Sequence, residues 1–264
     1  MNDKLFPKYY YRFSCASKQC PDTCCKGLDI ELDTKSVEVY NNFKGKLKRL
    51  VKNNIACING KSYIKSKDGQ CVFLTDDKLC KLHLVGGESA LCYPCQVYPR
   101  YTSTYNECIC VGLSLSCPIA CRLILYCDSE SYPFFSIEGS KSIHDMVGVI
   151  KDARFSVKKL IHILKNIETR EFQAMDLSSA KSGTEYVNNE LSDIILYNLC
   201  KYFYYRYNDL YDTGWKNISF WFVAIASFMI SNHIIIDENY IYKIAKDIEH
   251  SIKSMHVLKN IPFR

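Results

Sequence analysis

The sequence predicts a mainly α protein with a cysteine-rich metal-binding N-terminal region with short strands at residues 1–130, followed by a helical bundle at residues 131–264. The first observation behind this prediction is that 14 of the 15 cysteines lie at or before Cys127. The second is that, beyond this point, apolar residues recur at spacings of three and four, which is the repeat of an amphipathic helix. A chain of 264 residues can bury a sizeable core without disulfides, so the cysteines indicate metal ligation instead.

The cysteine-rich region is predicted to be rich in loops, with a few short elements. Asp33 and Thr34 can cap a helix, because their side-chain oxygens can accept hydrogen bonds from first-turn amides. The lysines of this helix form a solvated basic face or, alternatively, a docking patch for an acidic or nucleic-acid partner. The predicted elements are, in order, a helix carrying residues 40–51, strands at 63–67 and 71–74 joined to Cys80 by a turn at 75–78, and a helix from Cys117 to Leu125.

The second part of the chain is predicted to be helical throughout after a polar linker or surface loop at residues 129–142. Residues 218–236 approach the length of a bilayer span, but polar side chains interrupt them, so a buried core helix is predicted. The N-terminus lacks the features of a signal peptide, and we expect a soluble cytoplasmic protein with no nucleic-acid or membrane partner. The four predicted helices lie at residues 157–167, 191–207, 218–236 and 241–255.

The spacing of the cysteines predicts a metal site built from thiolates. Cys20 and Cys24, and likewise Cys92 and Cys95, are close enough in sequence for one turn to present two sulfurs to one site. Histidine is scarce here, which favours an iron–sulfur cluster but leaves four-cysteine zinc open, and His83 is either a ligand or a surface residue. Cys108 and Cys110 alternate in a predicted strand and have no assigned role. The cysteines predicted to be buried and reduced are Cys57, Cys121, Cys127 and Cys200.

Other chemistry is only weakly indicated by the residues themselves. Arg100 can bind a carboxylate, such as that of a methyl donor, or form a structural ion pair. The aromatic run 202–207 is either helix packing or a cation–π wall for a sulfonium or a lysine. There is no glycine-rich dinucleotide signature and no P-loop. The three-cysteine run of radical S-adenosylmethionine enzymes is also absent, because Gly27 stands where its third cysteine would be.

Several motifs, in order, resemble those of the flagellin lysine-N-methylase family, which belongs with the cysteine-rich zinc- or iron-chelating domains. The resemblance covers about residues 9–126. The motifs are Tyr11-Arg-Phe-Ser-Cys15, Cys20-Pro-Asp-Thr-Cys24-Cys25-Lys-Gly-Leu-Asp-Ile30, Cys71-Val-Phe-Leu74, Cys80, Leu91-Cys92-Tyr-Pro-Cys95-Gln-Val-Tyr-Pro-Arg100 and Ser114-Leu-Ser-Cys117-Pro118.

This resemblance implies an S-adenosylmethionine-dependent enzyme that methylates the ε-amino group of flagellin lysines and carries an iron–sulfur cluster, of the 4Fe-4S type, with zinc as the alternative. The implied ligand candidates exceed the four that one cubane needs, so there are either two sites or supporting cysteines, as Cys15 is expected to be. A non-catalytic zinc- or iron-binding module, such as a redox sensor or metal carrier, is the alternative function. The ligand candidates are Cys20, Cys24, Cys25, Cys71, Cys80, Cys92, Cys95 and Cys117.

Overall fold

A computed structural model describes residues 4–105, 108–128, 137–167, 184–186, 191–207, 211–231 and 241–262, and the fold is mainly α with short strands, as predicted. The helices are α1 (Thr34–Asn42), α2 (Gly45–Val51), α3 (Lys81–Gly86), α4 (Tyr93–Val97), α5 (Pro118–Leu125), α6 (Ile137–Asp152), α7 (Val157–Asn166), α8 (Asp193–Tyr207), α9 (Tyr211–Ser231), α10 (Ile241–Glu249) and α11 (Ile252–Asn260). The strands are β1 (Lys4–Leu5), β2 (Glu31–Leu32), β3 (Ile55–Ile58), β4 (Lys61–Ile64), β5 (Ser66–Lys67), β6 (Gln70–Cys71), β7 (Arg100–Tyr105), β8 (Cys108–Leu113), β9 (Arg154–Ser156) and β10 (Thr184–Tyr186). Short 3₁₀ helices lie at Lys8–Arg12, Ser17–Gln19 and Glu88–Ala90.

The chain forms two compact units that differ from the predicted division at residue 130. We call Ser14–Pro99 the cysteine unit, and Met1–Phe13 with Arg100–Arg264 the helical unit. The difference arises because β7 and β8 pair as an antiparallel hairpin, β1 joins β8 in parallel, and this sheet packs on α8. The Ser103 hydroxyl donates a hydrogen bond to the Tyr205 carbonyl (3.0 Å), which ties the hairpin to α8. Strand pairing therefore assigns residues 100–128 to the helical unit.

The cysteine unit is built on a three-stranded antiparallel sheet in the order β2-β4-β3, beside a β5-β6 hairpin. Asp33 caps α1 as predicted, because its carboxylate accepts a hydrogen bond from the Ser36 amide (3.0 Å). The single helix predicted over residues 40–51 is instead two helices. The chain breaks before Gly45, whose φ of +55° lies in the left-handed region that favours glycine.

The two strands predicted near the cysteines are also shorter than expected. The predicted strand at residues 63–67 divides between β4 and β5, and of the predicted strand at 71–74 only Cys71 lies in a strand. The chain turns after β6, because the Leu74 amide donates a hydrogen bond to the Cys71 carbonyl (3.0 Å). The predicted turn at residues 75–78 is present, with the Lys78 amide bonded to the Thr75 carbonyl (3.0 Å).

The core of the cysteine unit includes several of its cysteines. Phe73 and Leu82 are fully buried at its centre, Cys92 is buried beside them, and Cys71 and Cys80 pack against this cluster. These cysteines thus lie next to the hydrophobic core of the unit, Cys92 buried and Cys71 and Cys80 partly exposed. Packing of α3 and α4 onto this core determines where their cysteines stand.

The helical unit is organised around α8, which contacts α5, α6, α9 and the β7 strand. The helices predicted at 157–167 and 191–207 match α7 and α8 closely. The predicted helix at 241–255 is instead divided into α10 and α11, because Ser251 leaves the helical conformation and its hydroxyl accepts a hydrogen bond from the Ser254 amide (3.1 Å).

Two other predictions concern segments that the structure describes only in part. The predicted linker at 129–142 overlaps α6, which already begins at Ile137, and residues 129–136 lie outside the described residues. The predicted core helix at 218–236 corresponds to α9 up to Ser231, and residues 232–236 again lie outside the described residues. Among the helices that the structure describes, none has the length and apolarity to cross a membrane.

A buried ion pair explains the aromatic run of α8. Arg206 forms a salt bridge with Glu249 at 3.2 Å, and the guanidinium carbon lies 4.4 Å from the centre of the Tyr101 ring and 5.3 Å from that of Tyr207. The Glu249 carboxylate also accepts hydrogen bonds from the hydroxyls of Tyr202 (2.6 Å) and Tyr207 (3.0 Å). The cation that these tyrosines contact is therefore the chain's own arginine.

Candidate metal centre

Cys25 and Cys71 are brought together by backbone hydrogen bonds between two sequence-distant segments. The Cys71 amide donates to the Cys25 carbonyl (2.7 Å), and the Gly27 amide donates to the Gly69 carbonyl (2.9 Å). These bonds attach the loop that carries Cys24 and Cys25 to the edge of the β5-β6 hairpin. The first group of cysteines therefore stands next to Cys71.

Cys80 reaches the same place through the turn that precedes α3. A bridge pairs Leu74 with Cys80, and the Lys81 amide donates to the Phe73 carbonyl (2.7 Å), so the start of α3 lies against the segment that carries Cys71. Cys80 is the residue immediately before the first turn of α3. Its thiol therefore faces free first-turn amides, which stabilise a thiolate.

Cys92 and Cys95 are placed by α4, in which Pro94 occupies the first turn, where a missing amide hydrogen costs nothing. The Tyr93 amide donates to the Ser36 hydroxyl oxygen (3.0 Å), and that hydroxyl in turn donates to the Asp33 carboxylate. The capping residue of α1 thus also anchors the start of α4. Both cysteines lie within one turn, as their spacing predicts.

Six of the predicted ligands converge in this way. The Cys25 thiol interacts with the thiols of Cys24, Cys71 and Cys80, and the Cys92 thiol interacts with that of Cys95. Cys80 and Cys95 are also close enough to influence each other electrostatically, which joins the two groups. We call these residues the thiol cluster: Cys24, Cys25, Cys71, Cys80, Cys92 and Cys95.

The thiols of the thiol cluster differ in pKa. Hydrogen bonding to the Cys25 thiol lowers the pKa of Cys80 to about 6, and hydrogen bonding to the Cys95 thiol lowers the pKa of Cys92 to about 7. The pKa of Cys71 is also lowered by Cys25, whereas the pKa values of Cys25 and Cys95 are raised because they donate these hydrogen bonds. The cluster thus supplies thiolates, the soft anionic ligands of zinc and of iron–sulfur clusters.

One buried hydroxyl lies next to the thiol cluster. Among the described residues the Tyr40 hydroxyl makes no hydrogen bond of normal geometry, but it lies close enough to the Cys92 thiol for the two groups to shift each other's pKa. Burial raises its pKa, and the nearby Cys92 and Cys95 raise it further, so the hydroxyl stays protonated and able to donate. A thiolate that accepted this proton would satisfy it. Sequence reasoning did not identify Tyr40 as a functional residue, and its only signal was a hydroxyl on a helix residue that precedes the cysteines Cys92 and Cys95 by about 50 positions.

The remaining predicted ligands stand apart from this group in different ways. Cys20 is half-buried and close to Cys15 and Cys24, at the edge of the thiol cluster. Cys117 belongs to the helical unit, where it is buried immediately before α5. His83 is exposed on α3. Over the described part of the chain, no three His, Cys, Asp or Glu side chains have the arrangement that a single metal ion needs.

The other residues singled out from the sequence are also located. Arg100 is exposed at the start of β7, with its guanidinium carbon 5.4 Å from the centre of the Phe13 ring and 5.8 Å from that of Tyr10. Three of the four cysteines predicted to be buried are buried, namely Cys121, Cys127 and Cys200. The prediction for Cys57 is wrong, because β3 is an edge strand and the side chain is exposed.

The fold and this site together define a mainly α protein with an N-terminal cluster of cysteine thiols. No family model and no solved structure matches the chain. Known proteins do match over 126 residues, at 32% identity. One is the flagellar biosynthetic protein FliU of Salmonella muenchen, with 45% of this chain and 75% of that protein covered. Two others are lysine-N-methylases, from Salmonella typhimurium strain LT2 and Salmonella choleraesuis strain SC-B67.

The chain belongs to the flagellin lysine-N-methylase family, as the motifs predict. The match covers 45% of this chain but only 31% of each lysine-N-methylase. The chain therefore spans about a third of the length of those two relatives.

Proposed function

We propose that this protein is a lysine N-methyltransferase that acts on flagellin, uses S-adenosylmethionine as methyl donor, and carries a 4Fe-4S cluster on N-terminal cysteines. The convergence of six predicted ligands into the thiol cluster supports it most strongly. The names of the relatives, which mention flagellar biosynthesis and lysine methylation, support the proposed reaction and substrate class.

The chemistry of the residues present suits either an iron–sulfur cluster or zinc, because both bind soft anionic thiolates. We propose the iron–sulfur cluster because the cysteine motifs resemble those of the flagellin lysine-N-methylase family, and zinc is the alternative. Cys71, Cys80, Cys92 and Cys95 belong to the core cluster or pack against it, and the Tyr40 hydroxyl is placed to donate to a thiolate.

In methyl transfer to lysine, the ε-ammonium must first lose its proton, because it has no lone pair with which to attack. A bond then forms between the lysine nitrogen and the methyl carbon while the sulfonium–methyl bond breaks, and its electron pair stays on the sulfur. A bound iron–sulfur cluster would supply a Lewis-acidic iron or a site for electron transfer. The chain's contribution at the thiol cluster is to provide soft anionic ligands and to hold several of them against a packed core.

The second candidate function is a non-catalytic zinc- or iron-binding module. It is favoured by the partial coverage of the lysine-N-methylases, since 31% of their length corresponds to the matched part of this chain. Such a module would need the thiol cluster but no methyl donor.

We expect the anaerobically purified protein to be brown and to contain iron and acid-labile sulfide. Cys25→Ser should lose most of this iron, because Cys25 contacts three other thiols, whereas Cys57→Ser is the matched control, an exposed cysteine of the same unit. Metal analysis and the visible spectrum measure the cluster content of the wild type and of both variants. Coexpression with flagellin, followed by mass spectrometry, should show methylated lysines with the wild type and with Cys57→Ser. Stoichiometric zinc in a colourless protein, with no methylation, would establish the second candidate instead.

A smaller effect is expected at Tyr40. Tyr40→Phe removes a buried hydroxyl that makes no hydrogen bond of normal geometry among the described residues, so the metal-free protein should keep its stability within about 0.5 kcal/mol or gain slightly. With a cluster bound, loss of this donor should shift the reduction potential, because hydrogen bonds to the sulfurs set it. Tyr63→Phe is the control, since the Tyr63 hydroxyl instead donates to Glu31 (3.1 Å). Equal potentials in both variants would show that Tyr40 does not contact the cluster.

A further inference from the structure

A cavity of about 570 Å³ lies in the helical unit, between the 3₁₀ helix at Lys8–Arg12, α5 and α10. Its volume falls in the range of about 300–1,000 Å³ that is typical of small-molecule sites. Every lining residue belongs to the helical unit, so the cavity shares no residue with the thiol cluster. The lining residues that matter here are Arg12, Cys121, Arg122, Leu125, Tyr126 and Tyr242.

The cavity is lined by two positively charged side chains. Arg12 and Arg122 both line the cavity, and none of its lining residues in the described part of the chain is an aspartate or glutamate. Within the described portion of the chain, neither guanidinium forms a salt bridge. Two positive side chains at one cavity attract an anion more strongly than one does alone. Guanidinium groups also match the geometry of carboxylate and phosphate oxygens.

The other lining residues that matter here are apolar or aromatic, and they differ in how exposed they are. Leu125 and Cys121 are almost completely buried and Tyr242 is 6% exposed, whereas Tyr126 is 49% exposed. Both arginines are exposed. The apolar part of the lining therefore lies deeper than the charges. A ligand that fits this gradient has an apolar or aromatic body and an anionic group at one end.

We propose that this cavity binds a small organic anion. Its carboxylate or phosphate lies against Arg12 and Arg122, and its apolar or aromatic body lies against Leu125 and Tyr242. This site is additional to the proposed methylation function and does not depend on a cluster being bound. A nucleoside monophosphate and an aryl carboxylate are two members of this class.

Binding is tested by calorimetry on the metal-loaded full chain with a fixed panel of probes. The anions are AMP, phenyl phosphate and indole-3-acetate. The neutral controls are adenosine, phenol and indole-3-acetamide, and inorganic phosphate is the anionic control without an apolar body. We expect at least one anion to bind at least tenfold more tightly than its neutral analogue, and more tightly than inorganic phosphate. AMP and indole-3-acetate distinguish a phosphate preference from a carboxylate preference. The proposal is wrong if no anion binds with a Kd below about 1 mM.

Variants locate the bound anion. Replacing both Arg12 and Arg122 by glutamine should weaken binding by tenfold or more, since each charged hydrogen bond contributes more than about 1.4 kcal/mol. Arg122→Lys should be intermediate, and Arg49→Gln, an exposed arginine of α2, should bind as the wild type does. Iron content should stay unchanged in all of them, which separates this result from the fate of the methylation proposal. Undiminished binding by the double variant, with a thermal unfolding midpoint like the wild type's, would overturn the assignment.

Discussion

Replacing Arg206 by methionine is expected to lower the free energy of unfolding of the helical unit by about 3–5 kcal/mol. The change leaves the Glu249 carboxylate buried without its counter-charge, and the hydroxyls of Tyr202 and Tyr207 cannot neutralise it. It also removes the cation that lies over the Tyr101 ring. The loss is large because a buried charge without a partner keeps its full desolvation penalty.

A double-mutant cycle separates this penalty from a simple loss of packing. Glu249→Gln alone leaves Arg206 buried and unpaired, so it should also destabilise strongly. In the double variant neither charge remains, and we expect it to be clearly more stable than the sum of the two single effects predicts. Additive losses would show instead that the pair contributes only through packing.

Both tryptophans of the chain, Trp215 and Trp221, lie buried in α9, so their fluorescence reports unfolding of the helical unit in urea. The urea midpoints of the variants and the wild type report stability only if their m-values, the slopes of unfolding free energy against urea, are equal. Arg49→Met serves as the control, because Arg49 is exposed in the cysteine unit, and it should change stability by less than about 0.5 kcal/mol.

Periodicity predicted the elements whose boundaries depend only on nearby residues. Helices α7 and α8 follow from their apolar repeats, and Asp33 marks the start of α1. The sequence did not show that two predicted helices are each divided, at Gly45 and at Ser251, because both breaks follow from local conformations that an apolar repeat tolerates. The division into units was also missed, since it depends on the long-range pairing of β1 with β8.

The candidate site was predictable to a similar extent. Close pairs such as Cys92 and Cys95 could be predicted from their spacing, since Cys92 immediately precedes α4 and Cys95 lies in its first turn. Cys25 contacts Cys71 because backbone hydrogen bonds join two segments that are 46 residues apart in the sequence. No local sequence pattern predicts these bonds. The buried pair of Arg206 and Glu249 was missed for the same reason, since its partners come from different helices. Sequence patterns therefore indicated the ligand type, and the fold determined which ligands converge.

The second large effect is expected at Phe73, which is 1% exposed at the centre of the cysteine unit. Phe73→Ala should destabilise this unit by about 3–5 kcal/mol, because it removes a buried ring and leaves a cavity. The Phe73 carbonyl also accepts the hydrogen bond from the Lys81 amide that places Cys80, so movement of this segment would displace a ligand. We therefore expect Phe73→Ala to lose bound metal as well as stability, although Phe73 is not itself a ligand.

Hydrogen exchange of the backbone amides of α3 and α4 measures this effect in the unit that lacks tryptophan. Exchange there should accelerate by a hundredfold or more in Phe73→Ala, which corresponds to at least about 3 kcal/mol. Ile58→Ala is the matched control, because Ile58 is 56% exposed on β3 of the same unit, and it should exchange as the wild type does. Phe73→Leu, which fills more of the space, should retain most of the protection and of the metal. If Phe73→Ala exchanged no faster than Ile58→Ala, the core would not be what holds Cys80 near the other thiols, and the backbone bonds alone would have to do so.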